Sequence, residues 1–181
     1  ARQLDLASGS VREIARNERG RTFQPVGWDR GRGIATAVET GPGGYATAYV
    51  VIRDGAPPVR TALGVQVISM DVRAAPDASR VLAVSARFDV RTVYVWPLAE
   101  PERRTTFEGG PGQRPVIARW RDAREFIVAV SENAATRNAD RLEVWAVDGS
   151  RRVVARAAGF LAAVRPDCTA AITTVGIVDL A

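Results

Sequence analysis

The sequence predicts an all-β fold built of four similar repeats, and three observations lead to this prediction. Four stretches of the chain align without a gap, beginning at Trp28, Ala75, Trp120 and Arg165. Each stretch joins a polar turn to a run of small and branched apolar residues. The starts lie about 45 residues apart, within the roughly 40 to 50 residues expected of a four-stranded propeller blade. Hairpin signals between the stretches complete the pattern, which indicates a β-propeller of about four four-stranded blades.

Hairpins are predicted wherever turn residues separate two apolar runs. Four segments carry this signal and would form the outer halves of the blades: residues 3–16, 49–63, 94–107 and 142–156. Short apolar runs rich in Val, Ile and Ala would form inner strands at residues 33–40, 80–86, 125–131 and 170–175. Such runs are typical of strands buried on both faces, and they are too short for an average helix of about three turns.

The repeats predict a single domain over residues 1–181. Three repeats are continuous in the chain, and the fourth combines its two ends: residues 17–63, 64–108, 109–160, and 3–16 with 161–181. Joining both ends in one blade would close a four-bladed ring without an open sheet edge. However, residues 177–181 echo residues 3–7 and could begin another outer strand. The chain would then be an excerpt of a larger propeller, and both alternatives stay open.

The turn before the apolar run carries a family resemblance. Residues Ala75-Pro76-Asp77 and Arg165-Pro166-Asp167 keep Pro and Asp, whereas glycine remains only at Gly31. This pattern resembles the Ser-Pro-Asp-Gly signature of WD40-like (TolB-type, PD40) propeller repeats, also found in the propeller domains of prolyl oligopeptidase-type peptidases. The resemblance implies a bacterial binding platform and an extracytoplasmic location. It also leaves an alternative, the gating propeller of a larger serine peptidase whose catalytic domain lies outside this chain.

The composition argues against catalysis by this chain. It has no His, which removes the Ser-His-Asp triad, the Cys-His pair and the usual zinc sets. The lone Cys168 cannot form an internal disulfide. No Gly-rich loop opens a helix to hold a phosphate. We therefore expect no enzymatic activity, no metal and no cofactor.

The charge and hydropathy of the chain narrow the classes of partner. All 25 basic residues are Arg, and the net charge of +5 is spread along the chain without a cluster. A nucleic-acid surface needs clustered positive charge, so none is expected. No apolar run approaches the roughly 20 residues of a membrane span. The oligomeric state cannot be read from the sequence.

Two sets of repeated residues have both a functional and a structural interpretation. Trp28 and Trp120 share a repeat column and would either line a central channel or pack between inner strands, and packing is favoured. Trp96 and Trp145 share another column and are assigned to the core. Three turn carboxylates also share a column: Asp77, Asp122 and Asp167. Because Asp in such a turn binds its own backbone two residues on, a structural role is favoured over a catalytic one.

The longer loops, between successive repeats and at the middle of each repeat, would lie on one rim of a propeller. They are polar and rich in Arg, and they carry exposed aromatic residues. The candidate binding residues are Arg19, Arg21, Tyr45, Arg87, Phe88, Arg91, Arg114 and Arg137. Arg and Tyr are favoured at binding hot spots, and Arg offers two parallel donors to a carboxylate. The sequence therefore predicts a non-catalytic binding module whose partner, a protein or an acidic ligand, meets this loop rim.

Overall fold

The computed structural model describes most of the chain. The described residues are 2–4, 11–13, 21–29, 31, 33–53, 56–68, 71–85, 92–100, 102–133, 139–159, 161–165 and 169–180. The chain divides into two compact units, Ala1–Met70 and Asp71–Ala181. Whether the two units make one domain, as the sequence predicts, stays a prediction.

The first unit contains two antiparallel sheets. A two-stranded sheet pairs β1 with β2, and a four-stranded sheet has the order β3-β4-β5-β6. The strands are β1 (Arg2–Leu4), β2 (Val11–Glu13), β3 (Thr22–Asp29), β4 (Ile34–Thr40), β5 (Tyr45–Arg53) and β6 (Val59–Ile68). A short 3-10 turn, Pro42–Gly44, joins β4 to β5. The consecutive buried positions of β4 and β5 show that both faces of this sheet are covered at its centre.

The second unit contains three antiparallel sheets in chain order, each made of consecutive strands. Two of them are four-stranded, and the third, built by the last strands of the chain, has three. The first sheet contains β7 (Arg73–Ala74), β8 (Arg80–Val84), β9 (Thr92–Pro97) and β10 (Thr105–Glu108). The second contains β11 (Arg114–Trp120), β12 (Glu125–Ser131), β13 (Ala139–Ala146) and β14 (Arg151–Gly159). The third contains β15 (Leu161–Val164), β16 (Ala170–Thr173) and β17 (Gly176–Asp179).

These strands confirm the all-β prediction and its four hairpins. The pairs β1–β2, β5–β6, β9–β10 and β13–β14 are all antiparallel neighbours. In the last of them, Asp148 accepts a hydrogen bond from the Ser150 N–H at 2.9 Å, and Gly149 adopts a φ of 95°. Only glycine takes this left-handed conformation at little cost, which is why the Asp-Gly signal locates the turn.

The second sheet of the second unit is buried on both faces. Strand alternation places Phe126, Val128 and Val130 of β12 in one apolar cluster, together with residues of the β7–β10 sheet. It places Ile127 and Ala129 in another cluster, together with residues of the β15–β17 sheet. The period of two in a strand therefore explains why β12 reads as an unbroken apolar run.

The tryptophan assignments are resolved within this unit. Trp96 and Trp145 are 2% and 1% exposed, so both belong to the core as predicted. Trp120 is 7% exposed and packs edge-to-face on Phe126, with 5.5 Å between ring centroids. This contact supports the packing interpretation of Trp120, whereas the side chain of Trp28 lies outside the described residues.

The end of the chain forms the third strand of its sheet. β17 pairs with β16 in register, with Ile177 opposite Ile172 and Asp179 opposite Ala170. The ring closure expected from the sequence would place the first N-terminal strand beside β16, where β17 lies. The segment 177–181 therefore behaves as the outer strand that the alternative interpretation described, and the number of blades stays a prediction.

Candidate functional site

The structure describes only part of the predicted loop rim. Arg21, Tyr45 and Arg114 lie within the described residues. The other five candidates lie outside them: Arg19, Arg87, Phe88, Arg91 and Arg137. The part of the rim that can be built from contacts is therefore its three described members and the charged groups around them.

Arg21 belongs to an ion cluster centred on a buried carboxylate. Glu39, near the end of β4, has a side chain only 4% exposed. Arg60 of β6 donates two hydrogen bonds to it, from Nε at 2.8 Å and from Nη2 at 3.0 Å. Thr47 Oγ1 donates to Glu39 Oε1 at 2.9 Å, and Arg21 Nε lies 3.8 Å from the same oxygen. The positive charge of Arg21 is thus partly balanced inside the chain.

This cluster lowers the pKa of Glu39 from its ordinary value of 4.5 to about 2. The hydrogen bond from Arg60 is the largest cause; burial opposes it, and the Thr47 hydroxyl and the charge of Arg21 act in the same direction as Arg60. A bidentate guanidinium is the strongest neutral-pH partner for a carboxylate because its donors match the two oxygens. Glu39 therefore stays ionised well below the pH at which an ordinary Glu is neutral.

We expect the Glu39 cluster to make stability depend on pH in the acid range. Because the pKa is lower in the folded chain, the stabilisation is present above about pH 4.5 and is lost as the pH falls towards 2. Urea unfolding at pH 5.5 should show a loss of about 2 kcal/mol for Glu39→Gln, and the difference between the two chains should shrink towards pH 2.5. A constant difference across this range would contradict the assignment.

Tyr45 is the one exposed aromatic candidate that the structure describes on the rim. It begins β5 directly after the Pro42–Gly44 turn and is 38% exposed. Gly43 and Gly44 have φ angles of 81° and 79°, and a Cβ on Gly43 would lie 3.4 Å from the tyrosine ring. The two glycines therefore allow the turn to pass close beside the ring, which leaves Tyr45 presented at the loop edge.

The interpretation of Arg114 as a solvent-facing rim residue needs correction. Arg114 begins β11, opposite Ser131 of β12, and is only 6% exposed. Its loop neighbours Pro111 and Gly112 are exposed, so the chain enters the sheet between Gly112 and Arg114. A guanidinium buried at a strand start is held by its own sheet and offers little surface to a partner.

A second charged cluster, which the sequence analysis did not identify, lies along β13. Arg141 donates from Nε to Glu143 and from Nη1 to Glu132, and Trp145 Nε1 donates to Glu143 Oε2 at 2.6 Å. The side chains of Arg141 and Glu143 are 8% and 9% exposed, whereas that of Glu132 is 60% exposed. Arg151 stacks over the Trp145 ring at 3.9 Å. The alternation of positions 141, 143 and 145 was the available signal, since it places all three on one face of a strand.

The repeated turn carboxylates have the structural role that the sequence favours. Asp77 Oδ1 accepts hydrogen bonds from the Ser79 N–H at 3.0 Å and from Ser79 Oγ at 2.7 Å. Asp122 Oδ1 accepts from the N–H groups of Arg124 and Glu125, at 2.6 and 2.8 Å. Asp167 lies outside the described residues. The two described carboxylates bind their own turns, as Asp commonly does.

A pair of partly buried arginines on two edge strands is the other charged feature the sequence analysis missed. Arg73 lies on β7 and Arg119 on β11, the first strands of neighbouring sheets. Trp120 Nε1 donates to the main-chain oxygen of Arg73 at 3.1 Å and so ties the two strands together. The available signal was the position of each Arg between apolar residues, after Val72 and after Ala118.

Comparison of the chain with protein-family models, with curated proteins and with solved structures finds no significant match. Within the described ranges, His, Cys, Asp and Glu side chains form no group of three or more that could hold a metal ion. The same part of the chain contains no helix long and apolar enough to cross a membrane. The WD40-like pattern therefore stays a resemblance between turn residues.

Proposed function

We propose that this chain is a non-catalytic binding module with β-propeller architecture, and that its partner is an acidic protein segment bound at the loop rim. The observation that carries the proposal is the burial of both faces of the β11–β14 sheet between its two neighbours. When sheet faces pack on one another, as blades do, the surfaces left for a partner are the loops and the strand edges.

The two loop edges of the second unit differ in their suitability for binding. At one edge, residues 121–124 and 147–150 form tight turns closed by their own Asp side chains. The opposite edge has longer connections, including residues 109–113 and 132–138, and the sequence places Arg87, Arg91 and Arg137 in loops there. Longer loops carrying Arg offer both reach and charge-assisted hydrogen bonds to a carboxylate.

A charge-reversal comparison tests the proposal. The rim variant carries Arg87→Glu, Arg91→Glu and Arg137→Glu. The matched control carries Arg103→Glu, Arg104→Glu and Arg124→Glu, which change the net charge equally at exposed positions of the tight-turn edge. The probe is a fluorescein-labelled peptide of Glu and Asp residues with one central Tyr, followed by fluorescence anisotropy.

We expect the rim variant to bind the peptide at least tenfold more weakly and the control variant to remain within threefold of the unaltered chain. Binding should also weaken as salt rises, because the Debye length falls from about 10 Å at 0.1 M to about 3 Å at 1 M. Equal weakening in both variants would mean that the peptide senses only net charge, and the rim assignment would then be wrong.

A further inference from the structure

The Arg73 and Arg119 guanidiniums form a positively charged pair that the chain leaves underbalanced. Burial lowers the pKa of Arg119 to about 10, the charge of Arg73 lowers it further, and Asp71 acts in the opposite direction. Burial likewise lowers the pKa of Arg73, again against the charge of Asp71. Asp71 therefore offsets two positive charges at once, which leaves a local excess of positive charge in a partly desolvated place.

The hydrogen-bonding capacity of this pair is also largely unused. Arg73 Nη1 donates to its neighbour's carbonyl, Val72 O, at 2.8 Å, and Arg119 Nη1 donates to Ala118 O at 2.8 Å. A guanidinium has five N–H donors, so Nε and Nη2 of both residues remain available, and no described residue accepts from them. Each local bond to the preceding carbonyl also restricts the side chain, which reduces the entropy that a ligand would have to overcome.

We infer that Arg73 and Arg119 form an oxyanion-binding site, which takes a carboxylate or phosphate group between the edge strands β7 and β11. The two strands are held together by the Trp120 bond to Arg73, so the guanidiniums belong to a rigid part of the sheet packing rather than to a loop. An oxyanion with two or more oxygens matches the paired donors of Arg and supplies the negative charge that the pair lacks. This site uses none of the rim residues, so it can stand or fail independently of the proposed function.

The test is a titration of the full chain with inorganic phosphate at constant ionic strength, followed by the NMR signals of the arginine Nε–H groups. A parallel titration with succinate distinguishes phosphate from carboxylate recognition. We expect saturation at one ion per chain for at least one of the two anions, with the largest shifts at Arg73 and Arg119. Arg73→Gln and Arg119→Gln should each weaken the binding at least tenfold. Arg124→Gln, at an exposed turn, should leave it within twofold.

Thermal unfolding separates a lost site from a damaged fold. Since each variant removes one of two repelling charges, neither should melt below the unaltered chain in the absence of phosphate. The anion that binds should raise the melting temperature of the unaltered chain but not that of the Arg119→Gln chain. Shifts that grow linearly without saturation, or equal stabilisation of both chains by the anion, would overturn the site.

Discussion

Replacement of Phe126 by alanine is expected to lower the free energy of unfolding by about 4 kcal/mol. Phe126 is fully buried in β12 and lies at the centre of an aromatic cluster. Its ring is edge-to-face with Phe107, Trp120 and Trp145, with centroid separations of 5.4, 5.5 and 6.2 Å. Truncation therefore removes apolar burial and three aromatic pairs at once, and it leaves a cavity between two sheets.

Guanidinium unfolding followed by tryptophan fluorescence measures this effect. The matched control is Val153→Ala on β14 of the same sheet, where the side chain is 48% exposed. We expect that change to stay within about 0.5 kcal/mol. A loss below about 1 kcal/mol for Phe126→Ala would show that the packing between the β7–β10 and β11–β14 sheets is not as the structure describes.

Replacement of Arg141 by methionine is expected to lower the free energy of unfolding by about 3 to 4 kcal/mol. Methionine can fill much of the space of the Arg side chain, but it leaves the buried Glu143 carboxylate without its cation. The Trp145 indole N–H would still donate to Glu143, yet one neutral hydrogen bond does not replace a buried guanidinium. The cost is that of isolating a negative charge inside a sheet.

A double variant distinguishes this cause from lost packing. In Arg141→Met with Glu143→Gln, the amide oxygen still accepts from Trp145 and no buried charge remains, so we expect most of the lost stability to return. Glu132→Gln serves as the exposed control, since its side chain is 60% exposed and its ion pair should contribute less than about 1 kcal/mol. If the double variant were as unstable as the single one, packing rather than charge would explain the loss.

Local sequence patterns were sufficient for the strands and their turns. The four hairpins are set by neighbouring residues, as in the Asp148-Gly149 turn, where one carboxylate and one left-handed glycine determine the chain reversal. The Asp77 and Asp122 turns follow for the same reason, because each carboxylate binds N–H groups only two or three residues away. Likewise, a continuous apolar run such as that of β12 already requires a partner on each face.

What the sequence by itself determined was thus the set of elements whose cause is local: strand positions, hairpins, turn carboxylates and core tryptophans. Only the tertiary structure decided where each charge lies, because burial depends on which sheet covers which face. That is why Arg114 is buried rather than on the rim, and why Arg141 and Glu143 pair within the sheet. It is also why Arg73 and Arg119, 46 positions apart in the chain, act on each other across two sheets. Composition counts these charges, but only the packing of the sheets brings them together or leaves them unbalanced.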